Sequence, residues 1–321
     1  WAQGDMQHYM AEKFMEKYPN ITVEIIPMLQ DTYNDDLTNL AGEGNLPDVF
    51  WYIGNCDILL RNGWLGDITE YFDNDPETEN VLDTLVNAGR FDGERKLAAA
   101  AQYFPYTIFL DKALFERYNV QMPSADWKWS EMIDLMREMT KPEDAIFGYN
   151  DFTLLLTMYP IVTRDADGEF GFDFETGTYD LTGEWSEAAQ LNAELIRTGV
   201  HAPLMETEEA AAAFGDPTIW PAATGQVAMQ LDAWWTYNNL FATDEYRDKG
   251  IDWVPYPVPR GDDADSNKKP AFVDFGGISA TTEHPREAYE VLKWMGWDTE
   301  GWLAKIEGFK TLENEDGSKI F

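Results

Sequence analysis

The chain has 321 residues, of which 44% are hydrophobic, and 59 acidic against 23 basic residues give it a net charge of −36. This charge argues against nucleic-acid binding, which relies on cations that neutralise phosphates, and it opposes docking on anionic membrane surfaces. No apolar run approaches the roughly 18–20 residues that span a bilayer. We therefore expect a soluble globular protein of about two domains.

The first fifty residues alternate helical and extended patterns. Apolar residues recur at three- and four-residue steps over residues 5–18, which predicts a helix, and residues 21–26 alternate as in a half-buried strand. A second helical stripe begins at Tyr33 and stops at the Gly-Glu-Gly-Asn sequence, and a short strand is predicted at residues 49–52. This order predicts an α/β domain with a largely parallel sheet.

The remaining elements are separated by loops rich in Asp, Gly and Pro. A third strand is predicted at residues 102–110, and helices are predicted at residues 129–139, 185–198 and 285–297. Gly199 is a natural C-terminal cap for the second of these helices, and Pro285 fits the first turn of the third. No internal repeat or long low-complexity linker interrupts the chain.

The residues that carry most enzyme chemistry are sparse. The single cysteine, Cys56, excludes a disulfide within the chain, and the three histidines lie far apart without a zinc motif. No GxSxG or Walker sequence is present. Residues 165–176 resemble a calcium loop superficially, but the glycine is misplaced and Thr176 stands where a bidentate Glu is needed. We expect no catalytic residue, no metal and no cofactor.

Aromatic residues are abundant, with 13 Trp, 15 Tyr and 18 Phe. Several lie where predicted strands end, and in open α/β sheets these ends line the ligand crevice. The apolar faces of sugar rings fit the electron-rich face of an indole, and sugar hydroxyls need Asp, Asn and Gln neighbours. The pattern favours a carbohydrate site, and the candidates are Trp51, Tyr52, Asn55, Gln102, Tyr103, Asp232, Trp234, Trp235 and Phe275.

The paired tryptophans follow a predicted strand. Val227, Met229 and Leu231 alternate as buried positions, and Asp232 begins the edge of the site. Adjacent residues in an extended segment point to opposite faces, so one of Trp234 and Trp235 packs while the other faces ligand. We favour Trp235 for the ligand face. Five other tryptophans are assigned to packing because they lie in helices or turns: Trp64, Trp127, Trp129, Trp185 and Trp294.

A series of segments resembles the extracellular solute-binding proteins of sugar ABC transporters, in that family's order and over nearly the whole chain. The segments are FMEKYPNITVEIIP, LTNLAGEGNLPDVFWY, NGWLGDITEYF, QYFPYTIFLDKALFERYNV, DWKWSEM, GQVAMQLDAWWT and FGGISATTEHPREAYEVLKWM. The sequence departs from the family pattern at Asp111, where Asn is usual, and at Asn119 and Ala233, where Gly is usual. Lys128 replaces a capping Thr, so Ser130 or Asp126 is expected to cap that helix.

The resemblance implies an α/β, two-lobed, type II periplasmic-binding-protein-like fold, with a hinge and a sugar cleft between discontinuous lobes. It implies an N-terminal lobe of residues 1–105 plus 274–321 and a C-terminal lobe of residues 106–273. It also implies a missing first strand and missing final helices. Trp235 then matches the tryptophan that stacks on sugar in maltodextrin-binding relatives, and Phe275, Gly276 and Gly277 bring strand backbone close to the cleft.

The implied function is extracytoplasmic capture of a sugar, with an oligosaccharide expected, and its delivery to ABC transporter permease subunits. We expect a monomer, either periplasmic or anchored as a cell-surface lipoprotein. Two alternatives stay open. One is a glycoside hydrolase or other sugar-active enzyme that uses Asp232 and Asp274. The other is the same fold binding a peptide or a polyamine, which would suit the negative charge.

Overall fold

A computed structural model describes residues 3–29, 32–51, 57–91, 93–150, 152–166, 172–173, 178–179, 181–263, 267–313 and 317. The chain divides into two compact units, Trp1–Tyr103 with Val273–Phe321, and Phe104–Phe272. Strands β2 (Ala99–Pro105) and β8 (Ala271–Ile278) contain the residues at which the chain passes between the units.

The first unit packs helices around a three-stranded sheet in the order β1, β8, β2, with β1 at Val49–Trp51. Strands β1 and β8 are antiparallel, and Trp51 lies opposite Gly276. The described helices of this unit are α1 (Gln3–Lys17), α2 (Tyr33–Glu43), α3 (Asp57–Arg61), α4 (Thr69–Asp73), α5 (Asp83–Val86), α13 (Pro285–Gly296) and α14 (Thr299–Thr311).

The two faces of this sheet pack against two different hydrophobic clusters. Phe50 points to the face that also buries Leu37, Leu59 and Leu65. Its neighbour Trp51 packs against the cluster on the opposite face, which contains Leu292 of α13. Successive side chains of a strand point to opposite faces, so a three-residue strand is enough to join two hydrophobic clusters.

The second unit has a three-stranded sheet in the order β6 (Met229–Asp232), β3 (Thr107–Asp111), β7 (Trp253–Pro257), and both pairings are antiparallel. A separate pair joins β4 (Phe172–Asp173) to β5 (Thr178–Tyr179). The described helices are α6 (Lys112–Tyr118), α7 (Trp129–Met139), α8 (Phe152–Arg164), α9 (Glu184–Arg197), α10 (Glu208–Phe214), α11 (Trp234–Thr236) and α12 (Asp244–Asp248).

Strand β3 is the centre of the second unit because it is buried on both faces. Ile108 and Leu110 belong to the large cluster that includes the methionines of α7, and Phe109 belongs to a second cluster with Val227 and Trp253. All three β3 side chains are at most 1% exposed. The sheet is therefore the rigid layer between two cores.

The helices predicted from apolar spacing are confirmed, whereas the strand predicted at residues 21–26 is wrong. Residues 21–26 alternate half-buried and exposed side chains but form no strand, and Ile21 and Val23 pack against the helix cluster that contains Phe14. The predicted strand at residues 102–110 is divided at Tyr106 into β2 and β3.

The prediction of a largely parallel sheet is wrong for β1 with β8 and for β3 with β6 and β7, which pair antiparallel. Parallel pairing does occur as isolated bridges, which join Phe147 to Val227, Tyr149 to His201 and Asn150 to Gln230. A parallel βαβ unit joins strands that follow one another in sequence. Here the partner of β1 is β8, and the partners of β3 are β6 and β7, which all come from distant parts of the chain. Helix–strand alternation at the start of the sequence does not encode these pairings.

The packing assignment of the tryptophans is confirmed for three of them. Trp127, Trp129 and Trp294 are at most 5% exposed. The Trp127 Nε1–H donates to the Pro257 carbonyl oxygen at 2.7 Å, so the one polar atom of this indole is satisfied in the core.

Helix α7 begins without the expected serine cap. The Lys128 backbone N–H donates to Glu131 Oε2 at 2.6 Å. The Ser130 N–H and hydroxyl both donate to the carboxylate of Asp262, at 3.1 and 2.5 Å. A carboxylate from a distant loop therefore caps the first turn, and Ser130 orients it instead of acting as the cap.

Asp111 ends β3 and caps α6 as a fully buried carboxylate. Its Oδ1 accepts from the N–H groups of Ala113, at 3.1 Å, and Asp252, at 2.9 Å. Its Oδ2 has no hydrogen-bond partner among the described residues. Burial raises the pKa of Asp111 to about 6, although the backbone hydrogen bonds oppose this shift.

We expect Asp111→Asn to stabilise the fold at neutral pH. The raised pKa means that the folded state binds the proton more tightly than the unfolded state, so stability falls as pH rises from about 4 to 6. The amide keeps an oxygen acceptor without a charge. The gain in unfolding free energy should approach about 3 kcal/mol at pH 7.5 and about half of that at pH 5, measured by denaturant titration.

The control is Asp134→Asn, which removes a carboxylate whose side chain is 80% exposed. It should change stability by about 0.5 kcal/mol or less at both pH values. An equal gain from Asp111→Asn at pH 7.5 and pH 5 would show that its carboxyl does not titrate with a raised pKa.

Candidate functional site

The candidate site of the second unit begins where β6 ends. Asp232, the last residue of β6, lies opposite Thr107 of β3. The chain then turns at once into α11, which continues as a π-helical turn at Tyr237–Phe241. The expectation that Trp234 and Trp235 lie on an extended segment is therefore wrong.

The Asp232 side chain makes two hydrogen bonds within this turn. Its Oδ1 accepts from the Ala233 N–H at 2.8 Å and from the Thr236 hydroxyl at 2.7 Å. These local hydrogen bonds from the side chain of Asp232 to residues 233 and 236 stabilise the turn that follows β6.

Trp235 is half-buried in a group of aromatic rings that we call the Trp235 cluster. Its indole is approached at steep interplanar angles by Phe104 (5.1 Å between centroids, 72°), Tyr106 (6.2 Å, 83°) and Phe272 (5.9 Å, 79°). Edge-to-face contacts of this kind are favourable and fix ring orientation. All four side chains keep part of their surface exposed.

Trp234 lies in a different environment from its neighbour. It is 57% exposed, and its ring meets that of Tyr237 at 5.4 Å and 32°. Tyr237 in turn stacks on buried Phe109 at 5.7 Å and 11°. The helical turn thus separates the two tryptophans, with Trp235 braced on several sides and Trp234 largely open to solvent.

The first-unit candidates are divided between the two faces of its sheet. Trp51 and Gly276 are paired and share the face of Leu292, whereas Phe275 packs on the opposite face. Phe275 also contacts Phe91, a 41% exposed ring, at 5.6 Å and 64°. Strand alternation therefore keeps the Trp51 and Phe275 side chains apart.

Internal packing accounts for both glycines of β8. A Cβ atom on Gly276 would lie 2.6 Å from Leu292 Cδ1, and one on Gly277 would lie 2.7 Å from Leu65 Cδ2. Both residues are buried. Their absent side chains let neighbouring leucines approach the strand, and a role of their backbone towards a ligand stays a prediction.

Two further candidates lie on β2. Gln102 is half-buried and Tyr103 is 40% exposed, both in the part of β2 that belongs to the first unit. Tyr52 and Asn55 lie outside the described residues.

Phe104, Tyr106 and Phe272, the three rings around Trp235, are not among the site residues predicted from the sequence. Phe104 and Tyr106 are two residues apart and flank Pro105, so a period-two pattern could have linked them. Phe272 lies 37 residues beyond Trp235, and no local spacing connects these two residues.

The two acidic residues of the hydrolase alternative are a structural carboxylate and a buried one. Asp232 closes the turn into α11, and Asp274 is 4% exposed in the first unit. Across the described part of the chain, no group of three or more His, Cys, Asp or Glu side chains could hold a metal ion. Within the same part, no helix has both the length and the apolar character needed to cross a bilayer.

Comparison with known families decides the class of the protein. The sequence model of the bacterial extracellular solute-binding protein family matches residues 4–296. The chain belongs to this family. No curated protein sequence matches it.

Solved structures of solute-binding proteins confirm the predicted α/β periplasmic-binding-protein-like fold. An ABC substrate-binding protein from Listeria monocytogenes, in complex with cycloalternan, aligns with a TM-score of 0.72 at 19% identity, over 95% of this chain and 76% of its own. The GacH receptor of Streptomyces glaucescens, studied with acarbose, aligns with a TM-score of 0.68 at 17% identity, over 95% of this chain and 75% of its own. A cyclo/maltodextrin-binding protein complexed with maltotetraose aligns with a TM-score of 0.68 at 16% identity, over 95% of this chain and 74% of its own.

We expect Asp232→Ala to loosen the turn that carries the tryptophans, because both hydrogen bonds to its Oδ1 are lost. Hydrogen exchange at the Ala233 and Thr236 amides should accelerate about tenfold, the effect of losing about 1.4 kcal/mol of local stability. Asp232→Asn keeps an oxygen acceptor, so in this variant the same two amides should exchange at nearly the rate of the unchanged protein.

The matched control is Asp244→Ala, whose side chain is 91% exposed at the start of α12. It should leave exchange at residues 233–236 unchanged. Unaltered exchange in Asp232→Ala would mean that the carboxylate does not hold this turn.

Proposed function

We propose that this solute-binding protein captures an oligosaccharide and delivers it to the permease subunits of an ABC transporter. The observation that carries the proposal is the Trp235 cluster, a part-exposed indole held by three other aromatic rings at the end of β6. Membership of the extracellular solute-binding family supplies the class of activity.

The chemistry of the Trp235 cluster fits a sugar. An indole offers a large apolar face to the C–H groups of a pyranose ring, and edge-to-face neighbours hold that face in place before ligand arrives. A preorganised ring loses little conformational freedom on binding, so more of the contact energy appears as affinity. The half-buried Gln102 amide is a candidate for sugar hydroxyls, as are Asp232 and Asn55.

The ligands of similar solute-binding proteins include oligosaccharides, which supports this part of the proposal. Neighbours with TM-scores of 0.68 to 0.72 include complexes with cycloalternan, acarbose and maltotetraose. Complexes with α-D-tagatose and D-mannitol align less well, at 0.64 and 0.62. Extended carbohydrates are therefore among the ligands that proteins of similar fold hold.

The proposed mechanism is closure of two lobes around the sugar. The candidates that belong to the first unit are Trp51, Tyr52, Asn55, Gln102, Tyr103, Phe275, Gly276 and Gly277. A ligand that contacts both lobes favours the closed state by the additional contacts made there. The closed protein is then the form that the permease recognises.

The activity is binding without bond cleavage, outside the cytoplasm, by a monomer that is periplasmic or anchored as a lipoprotein. The net charge of −36 opposes association between copies. Asp232, one of the two acids of a hydrolase alternative, is engaged in closing the turn into α11. The acidic charge would suit a polyamine instead, so spermidine belongs in any ligand screen.

Calorimetric titration tests the proposal with maltotetraose, cyclic glucans, monosaccharides and spermidine. We expect an oligosaccharide to bind with a Kd of about 1–10 μM or tighter, corresponding to about 7–8 kcal/mol. Trp235→Ala should weaken that binding about tenfold or more, because the stacking face is lost.

The control is Trp302→Ala, since Trp302 is 46% exposed on α14 of the first unit and outside the candidate site. It should bind the sugar as tightly as the unchanged protein. Release of hydrolysis products by the pure protein would contradict the proposal, as would spermidine binding more tightly than every sugar tested.

A further inference from the structure

A short segment of the second unit runs parallel to β6 and ends at the same edge of the sheet. An isolated parallel bridge joins Asn150 to Gln230 of β6, and the Asn150 N–H donates to the Met229 carbonyl at 2.9 Å. In open α/β sheets, ligands bind outside the carboxyl ends of such strands. Asn150 therefore lies beside the end of β6, the strand that leads through Asp232 into the turn with Trp235.

Gln230 places an amide inside a hydrophobic core. Its side chain is 2% exposed. Its Nε2 donates to the Leu231 carbonyl at 2.8 Å, and its Oε1 accepts from Asn150 Nδ2 at 2.7 Å. A buried amide destabilises the fold unless its hydrogen bonds are made, and an apolar side chain would fill this position without that requirement. What the amide adds is its bond to Asn150.

The bond to Gln230 orients the Asn150 side chain. An amide group is planar, and its oxygen and nitrogen diverge from one carbon, so an Nδ2 directed at Gln230 turns Oδ1 away from it. Asn150 is half-buried, and its Oδ1 accepts no hydrogen bond from the described residues. This oxygen is also not one of their buried atoms without a partner. It is thus an accessible acceptor whose direction is fixed before a ligand arrives.

The chemistry of this acceptor fits a sugar hydroxyl. The amide oxygen accepts from an O–H group, and the second Nδ2 hydrogen can donate to an adjacent hydroxyl oxygen. The nearby Asp232 Oδ1 is already engaged by the Ala233 N–H and the Thr236 hydroxyl. An uncharged amide also attracts a cation less than a carboxylate at the same position would. The pair favours a neutral polyol as ligand.

We propose that Asn150 accepts a hydrogen bond from a ligand hydroxyl at the end of β6, and that buried Gln230 is the positioning residue that aims it. The identification of that hydroxyl as part of a sugar rests on the proposed function. The orientation of Asn150 by Gln230 does not.

Calorimetry with the tightest-binding sugar tests the contact. Asn150→Ala should weaken binding about tenfold, because a hydroxyl loses its acceptor. Gln230→Met conserves volume and removes the acceptor for Asn150 Nδ2, so it should weaken binding about threefold. Gln226→Met is the matched control, since Gln226 donates to the Ala145 and Ala213 carbonyls near the other end of β6. It should bind within twofold of the unchanged protein.

A double-mutant cycle separates positioning from general damage to the fold. If Gln230 acts through Asn150, adding Gln230→Met to Asn150→Ala should cause no further loss of affinity. A loss that adds in full would overturn the positioning role. Unchanged affinity of Asn150→Ala for a sugar that the unchanged protein binds would overturn the contact and leave the proposed function standing.

NMR of the unliganded protein tests the orientation without a sugar. Gln230→Met should accelerate solvent exchange of the Asn150 Nδ2 protons about fivefold, because their acceptor is lost, and Gln226→Met should not. Equal exchange in the unchanged protein and Gln230→Met would refute the orientation. If the unchanged protein binds no sugar, the proposed function fails and the sugar contact fails with it, whereas exchange still decides whether Gln230 holds Asn150.

Discussion

The antiparallel pairing of Asp232 with Thr107 is the constraint on which the candidate site depends. It sets where β6 ends relative to β3, so that Trp235, three residues later, meets the rings of Phe104 and Tyr106, which precede Thr107. A shift of one residue in this register would reverse the faces of the β6 side chains. The side chains of β6 and β3 are largely buried, so a shift in register would move buried apolar side chains to the wrong face and is very unfavourable.

Strand β3 connects the site to the stability of the second unit. Its three central side chains fill clusters on both faces of the sheet, so the strand cannot move without disturbing two cores. One end leads to the Trp235 cluster, and the other ends in the buried carboxylate of Asp111. The unfavourable buried carboxylate of Asp111 therefore lies at the end of β3 that is remote from the tryptophans.

Much of the fold could be predicted from local pattern, and the failures have physical causes. Helices such as α7 were predictable because apolar spacing and burial coincide along one face. The partners of β1 and β3 were not, because strand pairing across 100 or more residues leaves no local signal. In the site, Asp232 and Trp235 could be named from their position after a buried strand. The turn that separates Trp234 from Trp235 depends on a bond between Asp232 and Thr236, which spacing alone does not reveal.

The central claim is that Trp235 is the surface on which a sugar ring stacks. A crystal structure of the protein grown with maltotetraose tests it most directly, or with whichever oligosaccharide binds most tightly. The account predicts a pyranose ring parallel to the Trp235 indole, with carbon atoms at about 4 Å. A well-ordered sugar bound elsewhere, with the Trp235 face open to solvent, would contradict it.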